Sequence, residues 1–534
     1  MKMNSNRSWL GTFHKMIRRL FDKQEALLLC QKYQTVFSVD YQSLMPPRYA
    51  ISDIVAIETT LKTKQEQVGL LNPDKTNSNY RLHFYSLEQR FLDEYFPILE
   101  NLDLRVIDQV QFPLTVDESK VFIKSFTITV TDSQYASFRI LKNRLLDMIQ
   151  AILKGHVEND KLNSLLILTG LLWQEIDVLR AYQNYFLQLH YKTTRDSFHN
   201  TLLANPEVAL NLFNYFDARF KPDKKWKDNQ HREEQALFPL RIKLLEAIEQ
   251  VVDINHDRIL RTLFNLIDAT VRCNFYVRRY LDDYFIAFKI NSLGVIDMPN
   301  PRPENEIYVH SVDMEGIHLR GGKISRGGIR WSDRIDDFRT EILGLMQTQM
   351  SKNVLIIPKG AKGGFIVKTD CGDTCFRKAG KKAYITFIHG LLDLTDNYID
   401  NKVILLPGIV SYDYHDPYLV VAADKGTAQF SDLANSVAAE YHYWLADAFA
   451  SGGSKGYNHK KLGITARGAW ESVKRHFREQ GKDIQQQPFS VIGIGSMDGD
   501  VFGNGMLLSP WIQLLAAVSG EHVFIDPAPV NLQV

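Results

Sequence analysis

The chain has 534 residues, of which 45% are hydrophobic, so it is long enough to build more than one globular core. Its 63 basic and 62 acidic side chains nearly cancel, which argues against nucleic-acid partners and against a polybasic membrane surface. The four cysteines form neither a disulfide framework nor a complete zinc motif, so we expect a reducing, cytoplasmic setting and no metal.

The N-terminal part of the chain predicts a small module of strands around one helix. Residues 1–79 are predicted as a helical or irregular segment. Alternating apolar patterns then predict strands at 80–86, 104–114 and 120–130, and helical spacing predicts a helix within 87–102. The resulting β-α-β-β order places an α+β module at 80–131.

Helical periodicity dominates the next part of the chain, so 132–293 is predicted as a helical domain. Its longest apolar run, 165–173, is about half of a membrane span, and we expect no membrane insertion. A charged stretch at 221–235 favours a solvated loop over a binding site. All but four of the 31 glycines lie from Gly294 onward, which places the ligand loops in the second half.

Short β patterns alternate with helices from residue 307, which indicates an α/β domain at 294–485. A glycine-rich segment early in this domain carries five cations, followed by a helix with an apolar face. The cations are Arg320, Lys323, Arg326, Arg330 and Arg334. Arginine forks of this kind suit a carboxylate or phosphate ligand. Aspartates at 333, 336 and 337 fit a surface ion-pair network equally well.

The sequence SKNVLIIPKGAKGGFIVK, at 351–368, places Lys362 among small residues directly after an apolar run. Its pattern predicts strands at 354–357 and 365–367, joined by a turn that contains Gly360, Ala361, Gly363 and Gly364. Glycines in such a turn let a ligand approach the main chain closely. By itself the pattern favours a hairpin with an exposed lysine at its tip.

The C-terminal stretch 489–527 has the pattern of a dinucleotide-binding fold. A strand at 491–494 leads into a turn with Gly493, Gly495 and Gly499, followed by a predicted helix near 507–518 and a second strand that ends at Asp526. Asp526 would bind ribose hydroxyls and favour NAD over NADP. The alternative is an ordinary glycine-rich connection. We therefore predict an incomplete Rossmann NAD-binding domain at 486–534.

Five motifs in this order resemble the large-subunit class of NAD-specific glutamate dehydrogenases: SRGGIRWSDR, SKNVLIIPKGAKGGF, VVAADKGTA, KLGITARGAW and GSMDGDVFGNGMLLS. The resemblance implies that the 80–131 module is ACT-like and that 294–485 is the substrate domain. It implies catalytic roles for Lys362 and Asp424, and NAD binding by Gly493, Gly495, Gly499 and Asp526. The substrate-binding residues that it implies are Lys352, Arg326, Arg330, Gly363 and Gly364.

The resemblance also implies the reaction, which is NAD-dependent oxidative deamination of L-glutamate to 2-oxoglutarate and ammonia by a cytoplasmic homo-oligomer. Compared with the family, the chain looks truncated at its C-terminus and shortened at its N-terminus. We therefore expect the isolated chain to be nearly inactive, and a separate chain could supply the rest of the NAD-binding domain. The alternative is an inactive remnant, or a binding module that retains the substrate-domain fold.

Overall fold

The computed structural model describes residues 3–72, 79–129, 132–189, 193–352, 359–369, 372–457, 459–495, 500–519 and 522–526. The chain forms two compact units, residues 1–419 and 420–534. In chain order, the strands are β1 Gln67–Leu71, β2 Tyr80–Ser86, β3 Arg105–Val116, β4 Ser119–Thr129, β5 Thr270–Cys273, β6 Ile286–Asn291, β7 Asn305–His310, β8 Met314–Arg320, β9 Ser325–Trp331, β10 Lys359–Val367, β11 Asn397–Ile399, β12 Lys402–Ile404, β13 Val421–Ala423, β14 Phe489–Ile494, β15 Ile512–Val518 and β16 Val523–Ile525.

The α-helices are numbered in the same way. They are α1 Met3–Leu20, α2 Lys23–Tyr33, α3 Val39–Leu44, α4 Pro47–Thr63, α5 Leu92–Asn101, α6 Asp132–Leu153, α7 Leu165–Thr169, α8 Trp173–Gln188, α9 Arg195–Ala204, α10 Pro206–Phe220, α11 Asn229–Arg232, α12 Phe238–Glu249, α13 Ile254–Ala269, α14 Phe275–Arg278, α15 Phe338–Lys352, α16 Asp373–Asp393, α17 Ser431–Glu440, α18 His459–Leu462, α19 Ile464–Glu479 and α20 Asp500–Gly505. In the described part of the chain, no helix has the length and apolar character needed to cross a membrane.

The N-terminal module is an antiparallel sheet with the strand order β1-β2-β4-β3. The predicted strands and helix of 80–131 are confirmed, and β1 joins the same sheet from the segment predicted as helical or irregular. Alternation along β2 divides its side chains between two cores, since Leu82 and Phe84 join one cluster and Tyr85 joins the other. Both faces of this sheet are therefore covered, which accounts for its continuous apolar pattern.

The helical prediction for 132–293 is confirmed for most of its length, with Leu145 and Ile149 fully buried on the predicted face of α6. Two strands, β5 and β6, also lie in this range. They join the central sheet of the first unit, whose order there is β9-β10-β8-β7-β6-β5. The β9–β10 pair is parallel, and the other pairs are antiparallel. The sheet thus begins before the predicted start of the substrate domain.

The predicted hairpin around Lys362 is wrong. Residues 359–367 form one continuous strand, β10, which pairs with β8 on one side and with β9 on the other. Hydrogen bonding to two neighbours keeps the glycines extended, so no turn forms at 360–364. The predicted strand at 354–357 lies outside the described residues.

The second unit contains a three-stranded sheet with the order β14-β15-β16. The predicted first strand is confirmed, but the predicted helix near 507–518 is wrong, because Ile512–Val518 forms β15 and pairs in parallel with β14. Strand pairing on both sides outweighs the helical spacing of its apolar residues. The strand before Asp526, β16, runs antiparallel to β15, so it differs from the parallel strand expected in a Rossmann fold.

Candidate functional site

Lys362 lies in the middle of β10, and only 4% of its surface is exposed. Across the sheet it is paired with Leu319 of β8. On the other side, Gly360 pairs with Arg326 and Gly364 pairs with Arg330 of β9. The sheet therefore brings these predicted site residues onto two adjacent strands. The lysine is buried, which a hairpin tip would not allow.

The glycines next to Lys362 make room for helices on both faces of the sheet. A Cβ atom at Gly360 would lie 2.8 Å from the carbonyl carbon of Gln349, and one at Gly364 would lie 2.6 Å from Ile342 Cγ1, both in α15. At Gly363, on the opposite face, a Cβ atom would lie 3.0 Å from His318 Cδ2 of β8 and 3.5 Å from Phe387 Cε1 of α16. Since side chains alternate along a strand, Lys362 shares the α15 face with Gly360 and Gly364.

Three of the five cations of the glycine-rich segment form ion pairs with carboxylates. Arg330 Nη1 donates to Glu341 Oε1 at 2.8 Å, and Arg334 Nε donates to Asp337 Oδ1 at 2.8 Å. Arg320, which is buried, is paired with Asp416. The Arg334 pair agrees with the predicted surface network, whereas Arg330 and Arg320 are paired with Glu341 and the distant Asp416 instead of the aspartates at 333, 336 and 337. Of the other two cations, the Lys323 ammonium lies 5.0 Å from the centre of the Tyr414 ring, and Arg326 is exposed.

Two further residues that the resemblance assigns to the site lie outside the strands β9 and β10. Lys352 is the last residue of α15, and its side chain lies outside the described part of the structure. Asp424 belongs to the second unit, directly after β13, and is half-buried. Its N–H donates to Thr427 Oγ1, and the Thr427 N–H donates to the Asp424 carbonyl, both at 3.1 Å. These bonds fix the turn that follows β13.

The predicted cofactor residues lie in the second unit. Gly493 is part of β14, and a Cβ atom there would clash with the Phe502 ring of α20. Gly495 follows the strand with a φ of +135°, and a Cβ atom there would meet no atom within 4 Å. Asp526 follows β16, and its N–H donates to the Leu515 carbonyl at 2.8 Å. Gly499 lies outside the described residues.

His318 has an unusual environment that the sequence analysis missed. It is 1% exposed, and among the described residues neither ring nitrogen has a hydrogen-bond partner. Burial, together with the nearby Arg320 charge, lowers the pKa of His318 to about 3. The alternation of β8 predicts a buried residue at this position, but only the tertiary structure shows that no described group bonds to the imidazole.

Comparison with known proteins places this chain in a family. Residues 243–533 match the family model described as bacterial NAD-glutamate dehydrogenase, catalytic domain. Residues 157–222 match the model described as glutamate dehydrogenase, helical motif 3. β10 and the five-cation segment therefore lie within the catalytic-domain match, as do Asp424 and the sheet of the second unit.

Three bacterial proteins named NAD-specific glutamate dehydrogenase are similar to nearly the whole chain. The protein of Halomonas elongata is 40% identical over 95% of this chain, and that of Pseudomonas aeruginosa is 39% identical over 98%. The protein of Mycobacterium tuberculosis is 42% identical over 93%. The matches cover 32%, 33% and 32% of those proteins, so the chain spans about a third of their length. On the strength of the catalytic-domain match, the chain belongs to the bacterial NAD-glutamate dehydrogenase family.

Proposed function

We propose that the chain carries out, or contributes the substrate domain for, NAD-dependent oxidative deamination of L-glutamate to 2-oxoglutarate and ammonia. The observation that carries the proposal is the position of Lys362, a buried lysine in a glycine-rich strand within the region that matches the family's catalytic domain. Burial and neighbouring groups are the means by which proteins adapt a lysine to proton transfer, so the buried position of Lys362 fits such a role beside a bound substrate.

In this proposal the side chains divide the work between binding and proton transfer. Lys352 and Arg326 bind the glutamate carboxylates, and Arg330, Gly363 and Gly364 complete the substrate site. Loss of hydride from Cα leaves an iminium group at that carbon. Lys362 then accepts a proton from the water that attacks the iminium carbon. Asp424 exchanges protons with the amine that leaves as ammonia. One water is consumed, and, with the nitrogen released as ammonium, one proton is released beside the reduced cofactor.

NAD, when bound, supplies the hydride acceptor. The residues of the second unit fit such a group in one respect, because the main chain at Gly495 has a positive φ and open space where a side chain would lie. We propose that Gly493, Gly495 and Gly499 hold the pyrophosphate and that Asp526 binds the ribose. The antiparallel β16 is a departure from the usual Rossmann arrangement.

The remaining parts of the proposal concern setting and assembly. We propose a cytoplasmic homo-oligomer, with the 80–131 sheet as an ACT-like module. Size-exclusion chromatography with light scattering, with and without NAD, measures the oligomeric state directly.

The experiment that tests the function combines turnover with binding. The purified chain is mixed with NAD and L-glutamate while NADH absorbance is followed, and glutamate binding is measured separately by calorimetry, with D-glutamate as the control ligand. Turnover with L-glutamate supports the enzyme. Binding of L-glutamate without turnover supports a chain that contributes the substrate domain or acts as a binding module, and the absence of both contradicts the proposal.

A further inference from the structure

Three buried cations on strands of the central sheet meet three carboxylates from one connecting segment. The cations are at most 2% exposed, and the carboxylates lie in the stretch that follows α16. We call these six residues the ionic clamp: Arg272 of β5, Lys289 of β6, Arg320 of β8, Asp396, Asp413 and Asp416. Charges balance within the clamp, so each buried ion has an opposite partner.

The contacts within the clamp are short and shared. Lys289 Nζ donates to Asp413 Oδ2 at 2.6 Å and to Asp416 Oδ2 at 2.8 Å. Arg272 Nη1 donates to Asp396 Oδ1 at 2.7 Å, and the Asp416 N–H donates to Asp396 Oδ2 at 2.6 Å. The proximity of Arg320 and Lys289 keeps the pKa of Asp416 below its usual range despite burial. The clamp thus joins side chains and main chain in one network.

Arg320 is the residue that holds the end of the segment. Its Nη2 donates to Asp416 Oδ1 at 3.1 Å and to the Tyr418 carbonyl at 2.8 Å. In the sheet, Arg320 is paired directly with Ala361, the residue before Lys362. One guanidinium therefore fixes residues 416–418 against the strand that carries Lys362.

We propose that Arg320 is a positioning residue for the reaction, because it holds residues 416–418 against β10, the strand that carries Lys362. A buried ion network of this kind fixes geometry more than it adds stability, since apolar side chains of similar volume often stabilise a core equally well. The inference rests on the proposed function of Lys362.

The test compares Arg320→Met, Asp416→Leu and the double variant with the matched control Arg180→Met. Arg180 is also buried and also bound to two carboxylates, Asp160 and Asp177, but it lies in the helical block. Each protein is examined by hydrogen exchange over 394–419, by thermal unfolding and by glutamate turnover. Arg320→Lys, which keeps the charge, is included in case the Met variant does not fold.

We expect faster exchange over 394–419 in the Arg320 and Asp416 variants and unchanged exchange there in Arg180→Met. We also expect kcat to fall about 10- to 100-fold in the Arg320 and Asp416 variants with little change in the KM for glutamate. A shift of a reacting group by about 1 Å can lower a rate by up to about 100-fold. The double variant should regain thermal stability but not kcat. Arg180→Met should lose stability and keep kcat.

Two results would overturn the inference. One is unchanged exchange over 394–419 in the Arg320 variants, and the other is a kcat that follows thermal stability across all variants, including Arg180→Met. A wild-type chain that neither turns over nor binds glutamate would instead contradict the proposed function. In that case the exchange data alone test whether Arg320 holds residues 394–419 in place.

Discussion

Arg339 and Glu306 form an ion pair in which neither side chain has any exposed surface. Arg339 Nε donates to Glu306 Oε2 at 3.0 Å, and the Tyr185 hydroxyl donates to the same oxygen at 2.9 Å. The pair joins the first turn of α15 to β7. Since α15 covers the face of β10 that carries Lys362, this contact determines how the helix lies over the site.

Arg339→Met should destabilise the protein by about 3–5 kcal/mol, because it leaves the Glu306 carboxylate buried without its cation. Urea unfolding at neutral pH measures the change. Arg475→Met is the matched control, since Arg475 is 80% exposed and its pair with Glu479 should contribute less than about 1 kcal/mol. A loss of less than about 1 kcal/mol in Arg339→Met would show that the pair does not hold α15.

Gly364→Ala should be destabilising by about 1–3 kcal/mol, because the added methyl group would overlap Ile342 of α15. Gly344→Ala, in the same helix, is the control. No atom lies within 4 Å of a Cβ atom at Gly344, so alanine there should stabilise the helix by about 0.5–1 kcal/mol. Both are measured by urea unfolding. Opposite signs confirm that β10 and α15 pack as described, whereas two stabilised variants would contradict it.

His318 should make the protein less stable in mild acid. Its pKa is about 3 in the folded chain and near 6.5 when unfolded, so the unfolded state binds the extra proton between these values. Its stabilising contribution is complete above pH 6.5 and is lost progressively as the pH falls toward 3. The loss should reach a few kcal/mol, on the order set by the linkage relation.

His318→Gln should therefore flatten the decrease in unfolding free energy between about pH 7 and pH 4.5, within the window set by these two pKa values. Denaturant unfolding at several pH values measures it. The control is His476→Gln, which replaces an exposed histidine of α19. Equal pH dependence in wild type and His318→Gln would show that His318 is not the group responsible.

Lys362→Met should lower glutamate turnover by about 10²–10⁴-fold while NAD binding is retained, because its proposed role is proton transfer in the chemical step. Methionine keeps most of the buried volume of the lysine stem. Steady-state kinetics and a nucleotide titration measure the two effects, in whichever assembly shows wild-type turnover. Lys381→Met, on the exposed surface of α16, should behave as wild type. Turnover within about twofold of wild type would exclude Lys362 from the chemistry.

The sequence alone determined the elements whose patterns are local. Period-two alternation identified the three strands of the 80–131 module, and helical spacing identified α15 with its buried Phe338 and Ile342. Five short motifs also identified the family, which the catalytic-domain match confirms. These features depend on neighbours within a few residues, so the order of amino acids is enough to specify them.

The tertiary structure decided what the glycines at 360–364 and the apolar run at 512–518 become. Both stretches lack a decisive local pattern, and both are extended because other strands pair with them on two sides. Both partners of the 360–364 stretch are distant in sequence, whereas 512–518 pairs with the more distant β14 and with β16, which follows it closely in the chain. The same holds for Arg320, whose partner Asp416 is 96 residues away along the chain. The glycine-rich segment looked equally like a ligand site or an ion-pair network, because only long-range packing determines which carboxylate each cation meets.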